Sequence, residues 1–130
     1  MFNEIPHTCK IEMKFKTHDI RGDLGVILRG FNNLDKYYKI KFEPRFNRLA
    51  MDSCPRKDGN LHIQADTERY IPLTPGEENS LLIIMQESVL EVYVNDKVAM
   101  SARMFDTPEG QLGIYVNNTT ATFSDIKVTE

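Results

Sequence analysis

The sequence predicts an all-β fold, a two-sheet antiparallel β-sandwich, with residues 1–130 forming one domain behind a short N-terminal tail over 1–7. Apolar and polar residues alternate with a period of two through most of the chain, which is the pattern of half-buried strands. Clusters of Asn, Asp, Gly and Pro interrupt the alternation at about the 8–12-residue spacing of a sandwich or barrel. No window carries the apolar stripe of an amphipathic helix.

The strands follow in order. Ile11, Met13 and Phe15 share one face of a segment whose other face is Lys10, Glu12, Lys14 and Lys16. Leu24 to Phe31 is a denser apolar run, entered through Gly22-Asp23 and left through Asn32-Asn33. Tyr38, Ile40 and Phe42 alternate with Lys39, Lys41 and Glu43, and Pro44 ends that strand because it has no N–H to donate to a ladder. Leu49 and Met51 precede a loop over Cys54 to Asn60, and Leu61, Ile63 and Ala65 suggest a short strand after it. Pro72, Pro75 and Gly76 mark an irregular connection, and Glu77 to Ser80 holds one helical turn at most.

The second half is richer in strands. Leu81 to Met85 is nearly all apolar, which predicts a strand covered on both faces. The clearest unit runs from Val89 to Phe105, where Leu90, Val92 and Val94 alternate with Glu91 and Tyr93. Asn95-Asp96 turns the chain, and Val98, Met100, Ala102 and Met104 resume the pattern. Leu112, Ile114 and Val116 continue it after Thr107-Pro108-Glu109-Gly110. Asn117-Asn118 turns the chain again before Ala121, Phe123, Ile126 and Val128. The offset between Phe123 and Ile126 predicts a bulge near Ser124-Asp125.

Composition narrows the function. A net charge of −3 with scattered Lys and Arg argues against a nucleic-acid surface, and no stretch has the length of a membrane-spanning helix. The start lacks the basic and apolar regions of a signal peptide, which favours a cytoplasmic chain. Cys9 and Cys54 read as two free buried thiols or as one pair in an oxidising compartment. His7, His18 and His62 are far apart with no ligand partner at a metal-site spacing, so neither a metal nor a cofactor is expected. Asn117 to Thr120 contains overlapping glycosylation sequons, for which an Asn-rich turn is the simpler account.

Two kinds of carbohydrate chemistry are open to these residues. Glycoside hydrolysis needs two carboxyl groups across a cleft, and Asp52 and Glu91, each within a strand, are the best pair. The competing reading makes them outward charges paired with a neighbouring strand, as with Arg103 opposite the Glu91 strand. Sugar binding needs less: an aromatic face with planar Arg or carboxylate groups. Arg29, Tyr37, Tyr38, Arg45 and Asp52 lie in sequence-adjacent strands, although only one of Tyr37 and Tyr38 can point outward. Ordinary sandwich packing with solvated charges accounts for the same residues.

The run from Ser80 to Asp96, followed by Arg103-Met104-Phe105, resembles the C-terminal β-sandwich module of glycoside hydrolase family 32, the invertase, levanase and inulinase family. Glu91-Val92-Tyr93-Val94-Asn95-Asp96 is similar to the module's Val-Glu-Val-Phe-Val-Asn-Asp-Gly strand and turn. Gly113-Ile114-Tyr115-Val116 and Ala121 to Val128 resemble its last two strands, with Gly25 to Arg29 and Leu49 to Ser53 a looser match to its early ones. The chain departs from the pattern at Gln86-Glu87, at the absent Gly after Asp96 and at Asp106, where the family has Pro. The early strands also look like concanavalin-A-like jelly-roll sandwiches in general.

The resemblance implies a module without catalytic residues. The family's catalytic aspartates and glutamate belong to an N-terminal propeller, in Asn-Asp-Pro, Arg-Asp-Pro and Glu-Cys motifs, none of which occurs in this sequence. The expected partner is that propeller domain of a sucrose- or fructan-hydrolysing parent, which the module would stabilise, with dimer contacts a further role. The alternative is a stand-alone module binding a fructose-containing saccharide through some of Arg29, Tyr38, Asp52 and Glu91.

Overall fold

A computed structural model describes residues 4–5, 8–31, 36–54, 67–103 and 110–130. Among the described residues eleven strands are present: β1 (Glu4–Ile5), β2 (Thr8–Thr17), β3 (Asp23–Phe31), β4 (Lys36–Glu43), β5 (Arg48–Cys54), β6 (Thr67–Tyr70), β7 (Asn79–Gln86), β8 (Val89–Val94), β9 (Val98–Arg103), β10 (Gly110–Asn117) and β11 (Ala121–Thr129). They form a six-stranded sheet in the order β1-β10-β3-β4-β5-β6 and a five-stranded sheet in the order β11-β2-β7-β8-β9. All pairings are antiparallel.

Side-chain alternation separates the two faces of each sheet. Ile11, Met13, Phe15, Leu81, Ile83, Met85, Leu90, Val92 and Val94 face inward from the five-stranded sheet. Leu24, Val26, Leu28, Tyr38, Ile40, Phe42, Leu49 and Met51 meet them from the other. Phe15 and Phe42 touch across the layers with ring centroids 4.6 Å apart. Among the described residues two polar ones are buried with this core, and both are hydrogen-bonded, as burial requires. Thr17 Oγ1 donates to the Asp19 carbonyl, while Asn79 donates to the Glu77 carbonyl and accepts from Asn95 Nδ2.

The local signals worked through turn chemistry. The β8–β9 hairpin turns on Asn95 and Asp96, both left-handed with φ of 54° and 56°, so Asp96 takes the conformation that a following Gly would otherwise supply. Asn95 is held there by the Ser80 backbone, whose N–H reaches Asn95 Oδ1 at 2.8 Å. The register of β11 on β2 shifts between Ser124 and Lys127, with Asp125 at φ 53°, where the broken alternation predicts a bulge.

Several expectations are corrected. Glu4 and Ile5, read as tail, pair with Gln111 and Gly110 as β1. β7 is not covered on both faces: Leu82 and Ile84 are only half-buried, because they lie on the outer face of the sandwich. A 3-10 turn that the sequence did not signal forms over Pro44–Phe46, while Glu77 to Ser80, expected to hold one helical turn at most, holds none. The strand expected over Leu61 to Ala65 lies outside the described residues, as do His7 and His62. Cys9 is buried in the core, and the Cys54 side chain lies outside the described residues.

Candidate functional site

The outer face of the six-stranded sheet gathers the polar and aromatic groups. Since Tyr38, Ile40 and Phe42 point into the core, their neighbours Lys39, Lys41 and Glu43 point out. The registers set one row across the sheet as Tyr115, Gly25, Lys41, Ala50 and Glu68. A second row runs Glu43, Arg48 and Tyr70. Gly25 and Ala50 flank Lys41, and the floor they form is closed over: Ala50 is fully buried although it faces outward. The Lys41 side chain is itself mostly covered.

Charged groups on this face are tied together. Arg48 Nε donates to Glu43 Oε1 at 2.8 Å and Arg48 Nη1 to Glu68 Oε1 at 3.0 Å, so one guanidinium bridges carboxylates of β4 and β6. Lys41 Nζ lies 3.6 Å from Glu43 Oε1. At the other side of the sheet Asp23 accepts from the Tyr115 hydroxyl at 3.2 Å and from Asn117 Nδ2 at 3.0 Å. Lys39 Nζ stands over the Tyr115 ring, 5.0 Å from its centroid. The result is a surface of fixed donors, acceptors and ring faces, suited to holding hydroxyl groups.

The residues singled out by sequence do not converge. Arg29 on β3 and Asp52 on β5 belong to this sheet, Asp52 at the register position opposite Lys39; both are described by backbone position alone. Tyr38 is 4 % exposed and belongs to the core, so its ring has no open face for a sugar. Alternation assigns the outer side of that strand to Lys39. Glu91 lies on β8 of the other sheet, where its carboxylate accepts the Tyr93 hydroxyl at 2.7 Å. That bond, with the Glu91 charge behind it, raises the Tyr93 pKa. Asp52 and Glu91 therefore stand on different sheets and form no acid–base pair. Arg103 is opposite Val89, and Ser101 is the residue opposite Glu91.

Sequence reasoning missed Phe46, Tyr70 and Tyr115. Phe46 and Tyr70 are among the most exposed large apolar residues described, at 57 % and 72 %. Phe46 is pushed outward by the 3-10 turn, which begins at Pro44 and ends at left-handed Asn47. The only sequence signal is Pro44 followed three positions later by an Asn, a turn pair that says nothing of what the residue between them does.

The outer face of the five-stranded sheet is different. It carries an open groove of about 340 Å³ lined by Glu12, Lys14, Leu82, Tyr93 and Lys127 among others. Among the described residues no group of three or more His, Cys, Asp or Glu could hold a metal ion.

Comparison with known proteins agrees with this architecture. The family model described as glycosyl hydrolases family 32 C terminal matches residues 5–130. Among solved structures, the carbohydrate binding module CBM66 from Bacillus subtilis superposes with a TM-score of 0.83 at 16% identity, over 98% of this chain and 78% of that one. The galectin LEC-6 of Caenorhabditis elegans gives 0.68 at 10% identity, over 100% and 91%. Sheep galectin-11, in complex with glycerol, gives 0.70 at 12% identity, over 98% and 94%. At these identities the likeness establishes the fold. No curated protein sequence matches the chain.

Proposed function

The chain belongs to the family described as glycosyl hydrolases family 32 C terminal, and from that premise we propose that it is the non-catalytic sandwich module of a β-fructosidase-type glycosidase. The observation that carries this reading is the extent of the match: the C-terminal module's pattern covers residues 5–130, which supports assigning the chemistry to a separate catalytic domain. The separation of Asp52 and Glu91 onto different sheets supports it, since glycoside hydrolysis needs two carboxyl groups facing one substrate. The module's role would be to pack against that domain and stabilise it. Purified chain incubated with sucrose, levan and inulin is expected to release no sugar; sustained turnover that follows the protein through purification would overturn the reading.

A second reading, saccharide binding by the module itself, is favoured by the outer face of the six-stranded sheet. Lys39, Arg48, Glu43 and Asp23 offer fixed polar groups there, beside the rings of Tyr115, Phe46 and Tyr70. The fold shared with a protein named as a carbohydrate binding module lends it support. In this reading Arg29 and Asp52, on the same sheet, are candidate contacts, while Tyr38 acts only through the core.

A further inference from the structure

Phe46 stands at the tip of the β4–β5 connection, and the turn that carries it is held from two sides. The Asn47 N–H donates to the Pro44 carbonyl at 3.1 Å, and the Asn47 carbonyl accepts the Ile71 N–H at 2.8 Å. Pro44 is buried beneath it and Asn47 is left-handed, so the ring is exposed by a fixed backbone and not by a loose loop. Two guanidinium groups stand over the ring, Arg45 at 4.8 Å and Arg48 at 5.6 Å from its centroid, and Phe46 still keeps 57 % of its surface exposed.

The ring separates two shallow depressions. One, of about 170 Å³, is lined by Arg21, Asp23, Glu43, Arg45 and Asn117 with Phe46. The other, of about 300 Å³, is lined by Asn47, Arg48, Glu68, Arg69 and Tyr70 with Phe46. Charge decides what kind of ligand fits. Arg21 and Arg45 face Asp23 and Glu43 in the first, and Arg48 and Arg69 face Glu68 in the second. An anion would meet a carboxylate on either side of the ridge, and Arg48 is already bonded to Glu43 and Glu68. The chemistry suits a neutral, polyhydroxylated ligand with an apolar ring face to lay on the aromatics.

We propose that Phe46 is the ridge of a two-part site for a neutral oligosaccharide, with one sugar unit in each depression and Tyr70 as the second platform. The assignment rests on the saccharide-binding reading above and adds to it a place, a ligand length and a charge type. A ligand spanning both depressions gains contacts that a monosaccharide cannot make, so affinity rises from fructose to fructo-oligosaccharides.

Titration calorimetry of the whole chain with a fructo-oligosaccharide tests this, with Phe46→Ala, Tyr70→Ala and Phe46→Tyr compared at equal melting temperature. Each alanine variant is expected to weaken binding about three- to tenfold, the scale of one aromatic contact, while Phe46→Tyr keeps it. Unchanged affinity in Phe46→Ala overturns the assignment and leaves the saccharide-binding reading intact. Tighter binding of a sulfated or uronate oligosaccharide overturns the neutral class. No heat from the wild-type chain at millimolar ligand overturns both, and an intact affinity for fructose alone removes the two-part division.

Discussion

The ring of Phe42, from the six-stranded sheet, lies 4.6 Å from that of Phe15 of the five-stranded sheet, centroid to centroid, with the planes 39° apart. Both side chains are essentially fully buried, and Phe15 also stacks on Phe123 of β11 at 6.2 Å. The contact joins the two layers. Phe42→Ala is therefore expected to cost about 3–5 kcal/mol by the lost transfer energy and the cavity left behind. Urea denaturation measures it; a loss below about 1 kcal/mol would mean that the layers close over the gap.

Asp19 ties the β2–β3 connection to the turn before β11. Thr119 Oγ1 donates to Asp19 Oδ1 at 2.5 Å, the Arg21 N–H donates to the same oxygen, and the Arg21 guanidinium pairs with the other. These donors, Thr119 first, hold the Asp19 carboxyl down to about 2 from its ordinary 3.8. With the folded value below the unfolded one, the contribution is full above the unfolded pKa. It is lost as pH falls through the folded value, because the unfolded chain takes up the proton first. Asp19→Ala should melt below wild type at neutral pH, with the gap narrowing as pH falls from about 4 to about 2. A gap that is independent of pH across that window would assign the effect to packing instead of charge.

Gly25 of β3 sits against the backbone of β4. A Cβ there would fall 1.9 Å from the Ile40 carbonyl oxygen, an atom of a strand backbone with strand neighbours on both sides. Gly25→Ala must push the two strands apart. A loss of about 1–3 kcal/mol, the usual cost of overpacking, is expected in thermal or urea unfolding. Because Lys41 opposes Gly25, the same variant should also disturb the outer face. Wild-type stability in this variant would contradict the close strand approach.

Much of the fold was legible in the alternation of side chains, since period two reports which residues share a face. Ile11-Met13-Phe15, Tyr38-Ile40-Phe42 and Leu90-Val92-Val94 all face inward as the pattern requires. Alternation does not report what lies opposite a face. Leu82 and Ile84 read as covered and are half-buried on the outside, because apolar residues there face no second layer. Ile114 and Val116 lie opposite the buried Val26 and Leu24, yet are 38 % and 49 % exposed on a strand next to the two-residue edge strand β1. Pairing across sheets was equally silent, which is why Glu91 and Asp52 read as a candidate pair.

The site was less legible than the fold. Tyr38 and Phe46 are both aromatic residues in a Lys- and Arg-rich stretch, and composition cannot separate them. One register position decides the first, and the left-handed conformation of Asn47 decides the second. The resemblance read from Glu91 to Asp96 pointed to the right family, but its own residues lie on the sheet opposite to the one that carries the polar rows.

The most direct test is an amide-resolved nuclear magnetic resonance titration of the chain with a fructo-oligosaccharide, which follows ligand and protein signals together. The account predicts shifts confined to the outer face of the six-stranded sheet, strongest from Glu43 to Arg48 and at Tyr70, while the saccharide stays intact. Shifts centred on Glu91 and Tyr93, or release of free fructose by the chain, would contradict it.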